Sequence, residues 1–162
     1  MSKMLDRIQK FLILIIQILF IVMVTIIFSE VILRYVFKKG FVWMEEVTQY
    51  LFIWQVMLAS PIALRLGQHM SIDSLINMIP KKLTRIKISL MFDFLILVFL
   101  LIVAKNGFNF VINNWRSVSV GAKISMGYFY MAIPIGSILM LFFLLEVIII
   151  KMEKLKHLKI DS

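Results

Sequence analysis

FLILIIQILFIVMVTIIFS, residues 11–29, runs 19 residues without a charge, and that length decides the fold. An apolar helix rises about 1.5 Å per residue, so roughly 20 residues cross the ~30 Å hydrocarbon layer. Three more runs follow: Val47 to Leu64 is 18 residues, Ile124 to Leu145 is 22, and Ile88 to Ala104 is 17, interrupted only by Asp93. Within lipid the backbone must satisfy its own hydrogen bonds, which a helix does inside each segment. The chain therefore reads as an all-α membrane protein. We expect one integral membrane domain over residues 1–162, with spans at about 11–33, 45–64, 86–112 and 124–150.

Composition agrees. The chain is 62% hydrophobic with 14 Phe and 12 Met, and its mean hydropathy is +0.98. A soluble domain of this size has too little interior to hide so much apolar surface. The net charge of +9 lies at span ends and forms no stripe on a polar fold, so a nucleic-acid partner is not expected. No cysteine is present, which excludes disulfides, thiol catalysis and thiolate metal sites. Lys3, Arg7 and Lys10 ahead of the first run resemble a signal peptide. That run is too long for one, and Glu30 and Arg34 follow it instead of a small-residue cleavage site, so we read an uncleaved span.

The basic residues also orient the chain. Twelve of the 18 Lys and Arg fall in the termini and the middle connection, and six in the other two connections. By the positive-inside rule both termini and residues 65–87 are expected in the cytoplasm (N-in, C-in), with 30–46 and 105–123 on the opposite side. Trp43, Trp115, Tyr128 and Tyr130 then mark the outer headgroup level. Trp54 lies deeper, inside span two.

The connections are not plain loops. Ile72, Leu75, Ile76 and Ile79 share one helical face and Pro80 ends it, which predicts a short amphipathic helix at about 70–80 in the cytoplasmic interface. Glu30 and Arg34 stand four apart and are expected to pair where span one leaves the membrane. Residues 106–115 are expected to carry helix three past the membrane surface. Within the spans, Asp93 and Glu146 are shallow acids expected to reach water, a nearby Lys or a partner subunit. Pro61 and the Ala-Ile-Pro-Ile-Gly stretch at 132–136 read as kinks. Gln17, Gln55, Thr25 and Thr48 are candidate interhelical hydrogen bonders, and Ala59, Ser60 and Ala63 offer a close-packing surface.

These features weigh against chemistry within the chain. An autonomous exporter needs polar or charged groups near the midplane, yet span one offers only Gln17, Thr25 and Ser29. A di-haem cytochrome needs histidines inside spans, and His69 and His157 lie outside them. A membrane enzyme needs converging nucleophile, base or metal ligands, and none are evident, so no cofactor is expected. An accessory subunit that braces a partner fits better, the alternative being an independent oligomeric four-span channel or exporter.

Residues 34–80 resemble the DctQ-like small membrane subunit of tripartite ATP-independent periplasmic (TRAP) transporters. The resemblance rests on Arg34-Tyr35 and Phe37, Trp43 with Glu45-Glu46, Tyr50-Leu51-Phe52 and Trp54, then Ala63, Arg65, Gly67, His69, Asp73 and Pro80. Residues 132–136 are similar to the family's pattern near the last span. Two positions depart from it: Gln49, where a basic residue is frequent, and Ser60-Pro61, where Gly or Ala is usual. The resemblance implies an inner-membrane importer in which a periplasmic binding protein delivers an organic acid, such as a C4-dicarboxylate or sialic acid. A large membrane subunit then moves the substrate by a sodium-coupled, elevator-like motion, and the small subunit braces its static part. It implies that Arg34, Tyr35, Trp43, Glu45, Glu46, Tyr50, Trp54, Arg65, His69, Asp73 and Pro80 serve subunit contacts or the frame behind them. Arg116 and Lys123 are candidates for contact with the binding protein.

Overall fold

The computed structural model describes residues 2–66 and 82–160, with side chains over 5–66 and 83–156. Four long helices carry the apolar runs: α1 (Ser2–Tyr35), α2 (Val42–Arg65), α3 (Lys82–Asn114) and α5 (Ala132–Ile160). A five-residue helix, α4 (Met126–Tyr130), leads into α5 through Met131. All four are long and apolar enough to cross a membrane, the last counted from Met126. The interfacial helix expected at 70–80 lies outside the described residues. Helix α3 runs on to Asn114, as the polar 106–115 stretch foretold.

The helices are ordered in space as a row, α1–α2–α5–α3. Helix α1 packs on α2, α2 on α5, and α5 on α3. α1 and α3 are the flanks, and most of their side chains are exposed, including Phe11, Ile21 and Phe28 on α1 and Phe94, Phe99 and Ile102 on α3. Phe143 and Leu144 of α5 are almost wholly buried, with Leu58 and Ile62 of α2 beside them. Lipid tails are as apolar as leucine, so burial alone does not drive such helices together and close packing must hold the row.

Helices α2 and α5 approach closely at Gly136. Pro61 has no N–H, so the Met57 carbonyl one turn earlier lacks its helical donor. Gly136 of α5 is seated on that carbonyl: a Cβ built on it would stand 2.7 Å from the Met57 oxygen and 2.8 Å from the Met57 Cβ. Ala132, one turn before, and Ser137 are also buried. The 132–136 stretch thus supplies a small-xxx-small packing face. Pro134 sits in the first turn of α5, where a missing N–H is tolerated, so it marks a helix start after the break at Met131. The chain itself does not bury the small residues expected to offer a close-packing surface: Ala63 is exposed, and Ala59 and Ser60 are half-buried.

Candidate docking surfaces and charged latches

At the Arg65 end of the row, three helices converge on one guanidinium. Arg65 closes α2, and its side chain is largely buried. It donates from Nε to Glu146 Oε2 at 2.8 Å and from Nη2 to Glu146 Oε1 at 3.3 Å. It also donates from Nη1 to Gln9 Oε1 at 2.6 Å, and Nη2 lies 2.6 Å from Asp6 Oδ1. The planar fork of arginine suits this multidentate role, and its face lies 5.5 Å from the Phe143 ring centre. α1, α2 and α5 are thereby tied at one point.

A second latch ties α3 to α5. Lys151 Nζ donates to Asp93 Oδ2 and to Ser89 Oγ, each at 2.7 Å. Asp93 is buried. The two acids flagged from sequence as shallow intramembrane charges are thus both paired. Glu146 does not bond Lys151, five residues ahead on its own helix, but Arg65 of α2, while Lys151 reaches across to α3.

At the opposite end, Glu30 and Arg34 pair at 3.2 Å, as their spacing predicted. Tyr35, just beyond, is exposed. Glu46 has a role that sequence reading did not foresee. Its carboxylate accepts from Gly121 N at 3.0 Å to both oxygens and from Ala122 N at 3.0 Å. The loop it holds is folded on itself, with Ser119 N donating to the Ile124 carbonyl at 3.0 Å and Met126 N to the Ser117 carbonyl at 2.8 Å. Gly121 lies on the first turn of α2, where a Cβ would stand 2.7 Å from Trp43 N. Only a residue without a side chain brings its N–H this close to Glu46. Neighbouring Glu45 is exposed.

Aromatic residues line the inner faces near that end. Tyr50 stacks on Phe129 with ring centres 3.5 Å apart. Both border an apolar groove of about 610 Å³ between α1, α2 and the α4–α5 segment, along with Trp54, Tyr128 and Leu139. Of the expected interhelical hydrogen bonders, only Gln55 crosses, donating to Met23 Sδ at 3.6 Å. Thr25 and Thr48 bond their own helices, at Ile21 O and Met44 O. A β-branched hydroxyl in a helix readily takes the carbonyl one turn back, which removes it as a bridge.

Of the residues singled out in the sequence, Arg34, Tyr35, Trp43, Glu45, Glu46 and Tyr50 gather toward one end of the row and Arg65 stands at the other, with Trp54 between. Arg116 and Lys123 are exposed on the segment joining α3 to α4. His69, Asp73 and Pro80 lie outside the described residues. Among the described residues no group of three or more His, Cys, Asp or Glu side chains converges to hold a metal ion.

Residues 23–153 match the family described as tripartite ATP-independent periplasmic transporters, DctQ component. The chain is 31% identical over 126 residues to the sialic acid TRAP transporter permease protein of Haemophilus influenzae, covering 76% of this chain and 20% of that protein. It is 36% identical over 110 residues to the C4-dicarboxylate TRAP transporter small permease protein of Rhodobacter capsulatus, covering 65% of this chain and 47% of the relative. A Vibrio cholerae protein of the same description is 31% identical over 64 residues, 40% of this chain and 28% of its own length. The chain thus spans less than half the length of these curated relatives.

Proposed function

The chain belongs to the DctQ component family of tripartite ATP-independent periplasmic transporters, and from that membership we propose that it braces the large membrane subunit of a binding-protein-dependent importer. Members of the family are transporter subunits, not enzymes. The cargo we propose is an organic acid, the class to which the sialic acid and C4-dicarboxylate of the relatives' names belong. Sodium coupling and the moving elevator belong, on this reading, to the large subunit.

The observation that carries the reading is that both acids within the spans are paired with basic residues at span ends. Asp93, Glu146, Arg65 and Lys151 are committed to one another in two interhelical latches. A solute path needs polar groups left available to the solute; a brace needs them locked. The flank helices α1 and α3 carry broad apolar faces suited to the large subunit and to lipid. Glu46 holds its own outer loop, which leaves exposed Glu45 and Tyr35 as the docking candidates at that end. Arg116 and Lys123 project from the loop that would face the periplasmic binding protein, with both termini in the cytoplasm of a bacterial inner membrane.

Co-expression with the large subunit tests this directly. Glu45→Lys should lower the yield of co-purified large subunit, while the chain alone, reconstituted in liposomes, should transport nothing. Solute uptake by the chain alone would instead establish an independent oligomeric channel or exporter and end the brace reading.

A further inference from the structure

A second groove, of about 590 Å³, opens between the far end of α3 and the start of α5. Its walls are apolar, with Val111 and Ile112 on one side and Pro134 and Ile138 on the other. Asn113, Trp115 and Arg116, at and just past the end of α3, complete the lining. Arg116 lies two residues past the end of α3 and next to Trp115, which the sequence is expected to set at the outer headgroup level.

The charge of Arg116 is what separates this groove from the others. Arg34 is answered by Glu30, Arg65 by Glu146 and Asp6, and Lys151 by Asp93. Arg116 has no carboxylate within ion-pair distance among the described residues, and no acid lines the groove. The aromatic groove beside Tyr50 and Trp54 has no cation in its lining at all. An unanswered guanidinium above an apolar slot is complementary to a ligand with a phosphate at one end and a hydrocarbon chain at the other. The volume falls within the range of about 300–1,000 Å³ usual for small-molecule sites.

The geometry points to a phospholipid site: Arg116 and the Asn113 amide hold the phosphate, Trp115 lies at the glycerol level, and one acyl chain fills the slot between α3 and α5. The lipid belongs to the leaflet on the Trp43 side. Committing Arg116 to the lipid leaves Lys123 alone as the candidate contact of this loop with the periplasmic binding protein.

The test uses the full chain with whatever partner purifies alongside it, delipidated and titrated with phosphatidylglycerol while bound lipid is counted by native mass spectrometry. One tight phosphatidylglycerol is expected per chain. Arg116→Gln should weaken it roughly tenfold or more, because a charge-assisted bond is lost. Arg116→Lys should recover part of the loss, and Lys39→Gln, at an exposed cation outside the groove, should leave lipid affinity unchanged. Ile138→Trp, which fills the slot without touching the cation, should also weaken binding. If Arg116→Gln unfolds the chain, the Lys and Trp variants carry the test. Equal affinity in wild type and Arg116→Gln overturns the proposal. So does displacement by glycerol phosphate as effective as by whole lipid, which would make this an anion site only. Loss of a co-purifying protein with an unchanged lipid count would give the groove to a polypeptide and overturn it equally.

Discussion

Replacing Glu146 with Leu tests whether the Arg65 latch is a buried ion pair or a solvated one. In the wild type Arg65 is held by Glu146 at 2.8 Å, by Asp6 at 2.6 Å and by Gln9 at 2.6 Å. The Arg65 and Glu146 side chains are 14% and 6% exposed, whereas Asp6 is 54% exposed. Removing one partner of a buried pair strands the other, at a cost of about 3–5 kcal/mol. Asp6 still faces the guanidinium in the variant, so Glu146→Leu should fall at the lower end, about 3 kcal/mol. Arg65→Met leaves the more deeply buried carboxylate alone and should cost more. The double variant removes both charges and should return to within about 1 kcal/mol of the wild type, since apolar replacements of a buried pair are nearly neutral. The assay is reversible unfolding in mixed micelles with increasing dodecyl sulfate, followed by far-UV circular dichroism across the four chains of the cycle. A coupling of several kcal/mol is expected, against an average near 0.6 kcal/mol for single hydrogen bonds between membrane helices. If Glu146→Leu costs no more than that average, Arg65 has simply turned its head group to water and the latch reasoning fails.

Three further outcomes are expected. Swapping the charges of the second latch, with Asp93→Lys and Lys151→Asp together, should regain at least half of the thermal stability that either single change loses; equal loss in all three would show that the pair does not interact. Gly136→Ala places a methyl group 2.7 Å from the Met57 oxygen, and overpacking of this kind costs typically 1–3 kcal/mol, so the detergent-solubilised chain should melt several degrees lower, while an unchanged melting temperature would show the α2–α5 approach to be loose. Glu46→Gln should speed hydrogen exchange at the Gly121 and Ala122 amides without altering exchange around Arg65; unchanged exchange at those two amides would show that the carboxylate does not hold the loop.

Each long helix was legible in the sequence because length and hydropathy act over whole segments, and the lipid enforces both. The Glu30–Arg34 pair was legible for a related reason: spacing along one helix fixes which side chains meet. The two latches were not. Glu146 and Arg65 are 81 residues apart and Lys151 and Asp93 are 58 apart, so only the lateral order of the helices brings them together. Spacing favoured a local partner for each acid, and the crossing of α5 between α2 and α3 assigned distant ones. Gly136 is visible in the sequence, but a proline two residues away makes the stretch look like a kink. Its packing role depends on the bare Met57 carbonyl, a feature of a different helix. The sequence leaves Glu46 either a subunit contact or part of the frame, since nothing in the chain pattern announces that a loop 75 residues later will return two amides to it.

The row order α1–α2–α5–α3 carries a consequence for biogenesis. Among the described residues, helix α3 packs mainly on α5 and α4, both of which follow it in sequence. During synthesis it therefore enters the bilayer before the surface it will rest on has been made, and Asp93 waits there for a lysine not yet translated. Both latches draw a residue from the final helix, so neither closes until it has been made. A nascent chain arrested before residue 132 should hold α1 against α2 yet leave α3 free to drift, an exposed acid that membrane quality control can detect.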